Sequence, residues 1–322
     1  MKRIYAQRAS GILYNILRSM PKDKQFIVPA NICPIVLITL QKADCNFELI
    51  DIEKPSLTID KSECYKRVAS EPNKYAGIIF VRTYGSDLDE DDFFCRIKML
   101  HPNLTIIDDK CLCRPDLSGN NLSSHADITL FSTGYAKYAD VGFGGYAFLQ
   151  PHIDYSASWA HFDSGVLSEI EKTYKKALKG KAPFNNSMEA WLDLSEPSIA
   201  WPEYRQLVTT ACVEADLRKQ TLNDIYSQTF PREIKMQSTF QKWRFNILVD
   251  APDQLLKEIF DNGLFASRHY CSVSGAFGAG NFPVVDSIYA KVINLFNDRY
   301  FDVYRAKELS KIILTHLHGL SP

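Results

Sequence analysis

The residues best suited to chemistry lie in a single stretch, DITLFSTGYAKYADVGFGG, from Asp127 to Gly145. An apolar run, Ile128 to Phe131, leads into a polar, glycine-punctuated turn that carries Lys137. Gly142, Gly144 and Gly145 then lead into a second apolar run, Tyr146 to Leu149. A primary amine held at the end of a strand among glycines and hydroxyls can capture a carbonyl carbon. It must shed its proton first, which burial favours. Two more groups extend the pattern: Ser132, five residues before the lysine, and Asp109, at the end of the apolar run that starts at Leu104. At the start of the chain, Ala9-Ser10-Gly11 opens an amphipathic segment. A helix beginning there presents backbone N–H groups and a hydroxyl, which suits a phosphate. Taken singly, each residue also has an ordinary structural reading: Lys137 a solvated loop lysine, Asp109 a cap, Ser132 a turn serine, Ser10 an N-cap. For Asp109 and Lys137, their joint order, spacing and strand context favour the chemical reading.

These groups need a scaffold, and the surrounding pattern supplies one. Ile12, Leu13, Ile16, Leu17 and Met20 fall on one face of a helix over 9–20. A regular alternation follows: strand 26–28, helix 34–43, strand 47–52, helix 60–69, strand 76–81, helix 87–100 with an acidic first turn, and strand 104–109. Continuous apolar strands alternating with helices imply an α/β fold with a mostly parallel sheet covered on both faces. Ligands in such folds sit beyond the carboxyl ends of the strands, where Asp109 and Lys137 lie. After Gln150 the pattern turns helical, with helices over 167–178 and 202–227 separated by a loop that includes Asn185. A smaller C-terminal unit is expected after residue 227, with a strand at 244–249 and helices at 253–260 and 307–317. The division is therefore 1–227 and 228–322.

Composition excludes several classes. The 322 residues carry a formal charge of −1, which offers no electrostatic case for nucleic acid or an anionic membrane. The basic N-terminus has no apolar segment after it, so a signal peptide is not expected, and no apolar run approaches a membrane span. The eight cysteines form no CxxC and no zinc spacing. Reduced thiols in a cytoplasmic protein without a metal site are the expectation. The glycines of 272–282 have the spacing of neither a P-loop nor a dinucleotide fingerprint.

In chain order, the Ser/Gly helix start, the strand-end aspartate, the serine five residues before a lysine and the glycine-rich exit resemble the DegT/DnrJ/EryC1/StrS family of sugar aminotransferases. The resemblance covers most of the chain. FIVPANICPIVLITLQKADCNFELID (26–51) and DIEKPSLTID (51–60) resemble its early strand–proline–helix–strand segment, and FVRTYG (80–85) its VHLYG stretch. Residues 106–109 resemble its IED element, and 131–145 its SFxxxK…GxGG element.

This resemblance implies a fold-type I pyridoxal-phosphate transferase: a mostly parallel sheet with helices on both faces and a smaller C-terminal α/β domain. The cofactor would be pyridoxal 5′-phosphate. Lys137 falls on the lysine that bonds to its carbonyl, and Asp109 on the partner of its pyridine nitrogen. Asp108, where the family has Glu, is expected to be structural. Ser132, Ala9 and Ser10 fall on the phosphate site, and Asn185 on an asparagine that reaches a neighbouring subunit. His269 and Tyr84 fall near the substrate. Three positions depart from the pattern. Leu112 replaces a polar residue that faces the cofactor, Cys33 an aromatic that stacks on it, and Phe143 a Glu. The expected activity is transfer of an amino group, from an amino acid such as glutamate, to a keto group of a nucleotide-linked sugar, within a homodimer that shares its active sites. Two rivals stand beside it. One is another reaction of the same cofactor, such as dehydration, although the dehydratase relatives replace the lysine by histidine. The other is a scaffold or regulatory protein that keeps the fold without turnover.

Overall fold

The computed structural model describes residues 1–319. The elements run β1 (Lys2–Ala6), α1 (Ala9–Leu17), β2 (Gln25–Pro29), α2 (Pro34–Lys42), β3 (Asn46–Ile50), α3 (Lys61–Ser70), β4 (Tyr75–Val81), α4 (Asp91–Leu100), β5 (Thr105–Asp109), β6 (Ile128–Ser132) and β7 (Gly145–Leu149). Then come α5 (Ser164–Gly180), α6 (Trp201–Thr229), β8 (Phe245–Leu248), α7 (Pro252–Asp261), β9 (Ala266–Ser267), α8 (Pro283–Tyr289), β10 (Val292–Leu295) and α9 (Val303–Gly319).

Seven strands form one sheet in the order β1-β7-β6-β5-β4-β2-β3. The run from β6 to β3 is parallel, while β7 pairs antiparallel with both β6 and β1. The period of two along each strand decides what each face meets. Phe26, Val28, Ile79, Ile107, Ile128 and Leu130 point to the face covered by α1 and α2 and join Ile12, Ile16, Leu37 and Leu40 in one core. Their neighbours Ile27, Ile78, Phe80 and Ile106 point the other way, against Val68, Phe94 and Ile97 of α3 and α4. The same alternation places Asp109 on the α1/α2 face and Asp108 on the α3/α4 face.

β10 lies between β8 and β9 in a second, antiparallel sheet. Its core joins Phe245, Ile247, Ile293 and Leu295 to Leu255 of α7, Leu309 of α9, and Leu222 and Tyr226 of α6. The N-terminal half of α6 packs instead on the large sheet, through Tyr204, Val208 and Cys212 against Phe131 and Tyr146. The expected division at residue 227 therefore falls near the end of a helix that serves both cores.

Some expected boundaries moved. The helix expected from Asp87 begins at Asp91, because Ser86 Oγ accepts the Leu88 N–H, Arg82 binds the Leu88 carbonyl, and Asp89 caps the Asp91 N–H at 3.0 Å. β1 was not expected, because its charged, aromatic sequence KRIYA has no apolar run. It forms as an edge strand paired only with β7.

Candidate active site

Asp109 ends β5 and Ser132 ends β6, and the two strands run parallel and adjacent. On β6 the alternation puts Leu130 and Ser132 on the same α1/α2 face as Asp109. Across the sheet, Ser132 is opposite Gly145 of β7, which is opposite Ala6 of β1. The chain leaving β1 thus turns directly over the ends of β6 and β7 and enters α1 at Ala9. Gly145 makes this possible: a Cβ there would lie 2.3 Å from the Ala9 nitrogen and 2.5 Å from its Cα. No side chain fits, so only glycine lets the start of the helix rest on the strand.

The lysine turn is tied down on every side. The Thr133 hydroxyl bonds the Tyr204 hydroxyl at 2.6 Å and donates to the Phe143 carbonyl at 2.8 Å. Asp140 accepts the N–H groups of Ala136 and Gly142, both at 2.9 Å. Trp243, from the C-terminal part of the chain, donates its indole N–H to the Ala136 carbonyl at 2.7 Å. Ala136 has φ +58°, a left-handed conformation that costs a non-glycine residue on the order of 1 kcal/mol. These bonds hold it there, next to Lys137.

Asp109, Ser132, Lys137, Ala9, Ser10 and Cys33 all line one cavity of about 360 Å³. Among them, the Asp109 carboxylate and the Lys137 amine lie within electrostatic reach of each other. Burial pushes the Asp109 carboxyl above its usual range, while the Cys111 thiol, the Cys111 N–H at 2.9 Å and the Lys137 charge pull it back. The Lys137 amine has no hydrogen bond or ion pair among the described residues. Ser132, whose hydroxyl has no partner among the described residues, lines it too, with Ala9 and Ser10 of the first turn of α1. Cys33, the residue before α2, lies on the wall, and burial pushes its thiol up.

Other expected site residues lie elsewhere. Leu112 is 7% exposed and does not reach the cavity. Cys111, one residue earlier, lines it instead. The turn after β5 places Leu112 in the core and Cys111 against it. Phe143 packs on the Tyr204 ring, 6.0 Å between centroids, away from the cavity. Tyr84 is buried and does not line the cavity, its hydroxyl donating to the His269 carbonyl. His269 packs between Trp243 and Tyr270. Burial, with the charges of Arg244, Lys175 and Lys137, pulls its pKa down to about 3, so it is neutral at pH 7. It sits within electrostatic reach of Lys137 without lining the cavity. Asn185 is on an exposed loop away from this chain's own cavity. Sequence reasoning missed Arg8, Glu171, Trp191 and Asp193, which also line the cavity. Trp191 and Asp193 come from a connection without regular structure, where no periodicity marks them. Among the described residues no group of three or more His, Cys, Asp or Glu side chains is placed to hold a metal ion.

No family model matches the sequence, and no curated protein matches it. The fold is similar to that of a DegT DnrJ EryC1 StrS aminotransferase from Brucella abortus (TM-score 0.68, 14% identity, covering 98% of this chain and 86% of that one). It is similar to Spr1654 of Streptococcus pneumoniae, assigned as a sugar aminotransferase, in its PLP-form (TM-score 0.70, 15% identity, 100% and 88% covered). It is also similar to the sugar aminotransferase CalS13 from Micromonospora echinospora (TM-score 0.64, 12% identity, 97% and 87% covered). The chain thus has the fold of pyridoxal-phosphate-dependent aminotransferases over nearly its whole length.

Proposed function

We propose that the protein is a pyridoxal-phosphate-dependent aminotransferase that moves an amino group from an amino acid, with glutamate the first candidate, to a keto group of a nucleotide-linked sugar. The observation that carries this reading is the convergence of Asp109, at the end of β5, and Lys137, in the turn after the adjacent β6, on one cavity that Ser132 and the start of α1 also line. The donor set fits the cofactor. A buried carboxylate with one backbone partner suits a ring cation, an unpartnered amine suits an aldehyde, and a helix start with a free hydroxyl suits a phosphate.

When bound, pyridoxal phosphate supplies an electron sink for the carbanion chemistry at the amine-bearing carbon. The chain supplies the rest. Lys137 is the nucleophilic amine, and once released it is the base that takes a proton from that carbon and returns it. The pinned turn keeps its backbone fixed while the side chain moves. Asp109 holds positive charge at the ring nitrogen, an interaction that would reverse the upward push of burial on its own carboxyl. Ser132, Ser10 and the first turn of α1 hold the phosphate. Cys33 lines the wall in place of an aromatic ring, giving up stacking on the order of 1 kcal/mol.

The placement of the departures weighs against a non-catalytic scaffold. Of Leu112, Cys33 and Phe143, only Cys33 reaches the cavity. Lys137 weighs against a dehydratase.

The reading includes a homodimer that shares its sites. Tyr135, on the cavity rim, is 71% exposed, and Val213 and Leu217 on α6 are 53% and 68% exposed. These are apolar groups that a second copy would cover, and Asn185 would then face the partner's site. A cytoplasmic location is part of the proposal. All eight cysteines are free, and among the described residues no helix is long and apolar enough to cross a membrane.

The test is the visible spectrum of the protein mixed with pyridoxal phosphate, before and after glutamate. A cofactor band that bleaches with glutamate and is missing in Lys137→Ala supports the reading. A band that persists moves the donor or the reaction, and no band overturns it.

A further inference from the structure

α1 opens with a charge of the wrong sign. Its N-cap is Arg8, in extended conformation with no side-chain capping bond, and its first turn contains no acidic residue. A helix N-terminus carries about half a positive charge and favours anions, so an arginine there costs energy unless an anion joins it. Asp193 meets this need only in part, its Oδ2 standing 3.8 Å from Arg8 Nε. Its other oxygen is taken by the backbone N–H and hydroxyl of Ser195.

The remaining donors of Arg8 point to what completes the site. Nη1 donates to the Gly142 carbonyl at 3.0 Å. A guanidinium has five N–H donors, and Nη2 has no partner among the described residues. Gly134 supplies the space. A Cβ on it would lie 3.2 Å from Arg8 Nη1 and 3.8 Å from Ser132 Oγ. The cation and the hydroxyl thus flank one small volume that a side chain at 134 would fill. Ser132 is 9% exposed and lines the cavity, its hydroxyl without a partner among the described residues.

From this we infer that Arg8 binds the phosphate of the cofactor, as a charge-assisted donor beside Ser132 and the first turn of α1. The inference rests on reading the cavity as a pyridoxal-phosphate site. Arg8 is then a binding residue, and Asp193 is the residue that orients it. The planar fork suits phosphate oxygens in a way that a lysine does not reproduce.

The test compares two ligands that differ only in the phosphate. Binding of pyridoxal 5′-phosphate and of pyridoxal is titrated by absorbance in the wild type, Arg8→Gln and Arg8→Lys. Circular dichroism checks that each variant is folded. In Arg8→Gln the dissociation constant for pyridoxal phosphate is expected to rise about tenfold or more, with that for pyridoxal unchanged. Arg8→Lys should fall between. A second readout is the melting temperature of the cofactor-free protein, which inorganic phosphate should raise in the wild type and less in Arg8→Gln. Equal losses for both ligands, or no loss, would overturn the inference and leave Arg8 a structural tie between Gly142 and Asp193. If the wild type binds pyridoxal as well as its phosphate, the inference falls while the cofactor reading stands. If it binds neither, both fall.

Discussion

Asp108 and Asp109 are neighbours on β5, and the sheet sends them to opposite faces. On the α3/α4 face, Asp108 is fully buried and accepts two bonds from the Arg82 guanidinium, at 2.7 and 3.0 Å. Arg82 in turn binds the Leu88 carbonyl, which sets the path into α4. That pair is complete, and nothing is left over for a ligand. On the α1/α2 face, Asp109 has the N–H and thiol of Cys111 and a cavity, with the Lys137 amine nearby that has no partner among the described residues. The two carboxylates are equally buried in practice, so burial does not separate structure from function here. The state of the partners does. A finished ion pair stabilises the fold, whereas an unfinished set of donors and acceptors is completed by something else.

Substitutions should divide along the same line. The largest expected effect is Lys137→Ala, which removes the amine without touching any bond that holds its turn. The cofactor band and glutamate turnover should be lost, turnover by about 10³-fold or more given the usual weight of a positioned acid–base group. The melting temperature should stay within a few degrees of the wild type. A large loss of stability would mean that the lysine belongs to the scaffold after all.

The converse is Asp108→Asn, which leaves Arg82 buried without its counter-charge. Losing one partner of a buried pair costs about 3–5 kcal/mol, to be read from urea or thermal unfolding. The fraction that remains folded should bind pyridoxal phosphate as tightly as the wild type. A stable Asp108→Asn protein that fails to bind the cofactor would break the comparison.

The place of Asp109 at a strand end of a mostly parallel sheet was legible in the sequence, because continuous apolar runs alternate with helical segments. The order of the strands was not, because nothing in the sequence says which neighbours pair. The clamp on the lysine turn was not legible. Trp243 lies more than a hundred residues from Ala136, and nothing local announces that its indole will close on that carbonyl. The difference between 111 and 112 was equally hidden, because it depends on the turn after β5 and not on a repeating pattern. Arg8 looked like one of several basic residues at the start of the chain. Only the register Ala6–Gly145–Ser132 brings it over the strand ends.

His269 offers a smaller effect that sharpens the contrast between finished and unfinished groups. Its pKa is lowered to about 3 from an ordinary value near 6.5. The unfolded chain therefore takes up a proton on this residue below about pH 6.5, while the folded chain does not. Stability from this source is complete above that pH and is lost as pH falls toward 3. The slope is at most about 1.4 kcal/mol per pH unit. Replacing His269 by Gln should flatten the fall in denaturation free energy between pH 6.5 and 5. An unchanged slope would show that solvent reaches the imidazole freely.

The smallest effect is the most discriminating, because it is the same chemical change as Asp108→Asn one residue along, with the opposite sign. Burial raises the Asp109 pKa, so in the cofactor-free protein the charged carboxylate is held at a cost relative to the unfolded chain. For an acid with a raised folded pKa, stability is greatest below the unfolded value and declines as pH rises through the folded one. Asp109→Asn removes that charge at constant shape, so at pH 7 the cofactor-free variant should be as stable as the wild type or more so. The difference should close as pH falls below about 3.9, where the unfolded aspartate is itself neutral. Pyridoxal phosphate should reverse the order at pH 7, because the wild-type carboxylate then gains a cationic partner that the amide cannot match. Unfolding the two proteins with and without the cofactor, at pH 7 and near pH 4, measures all four values. If Asp109→Asn destabilises the cofactor-free protein as strongly as Asp108→Asn does, the cavity face carries a structural carboxylate like its neighbour, and the difference between the two faces of β5 disappears.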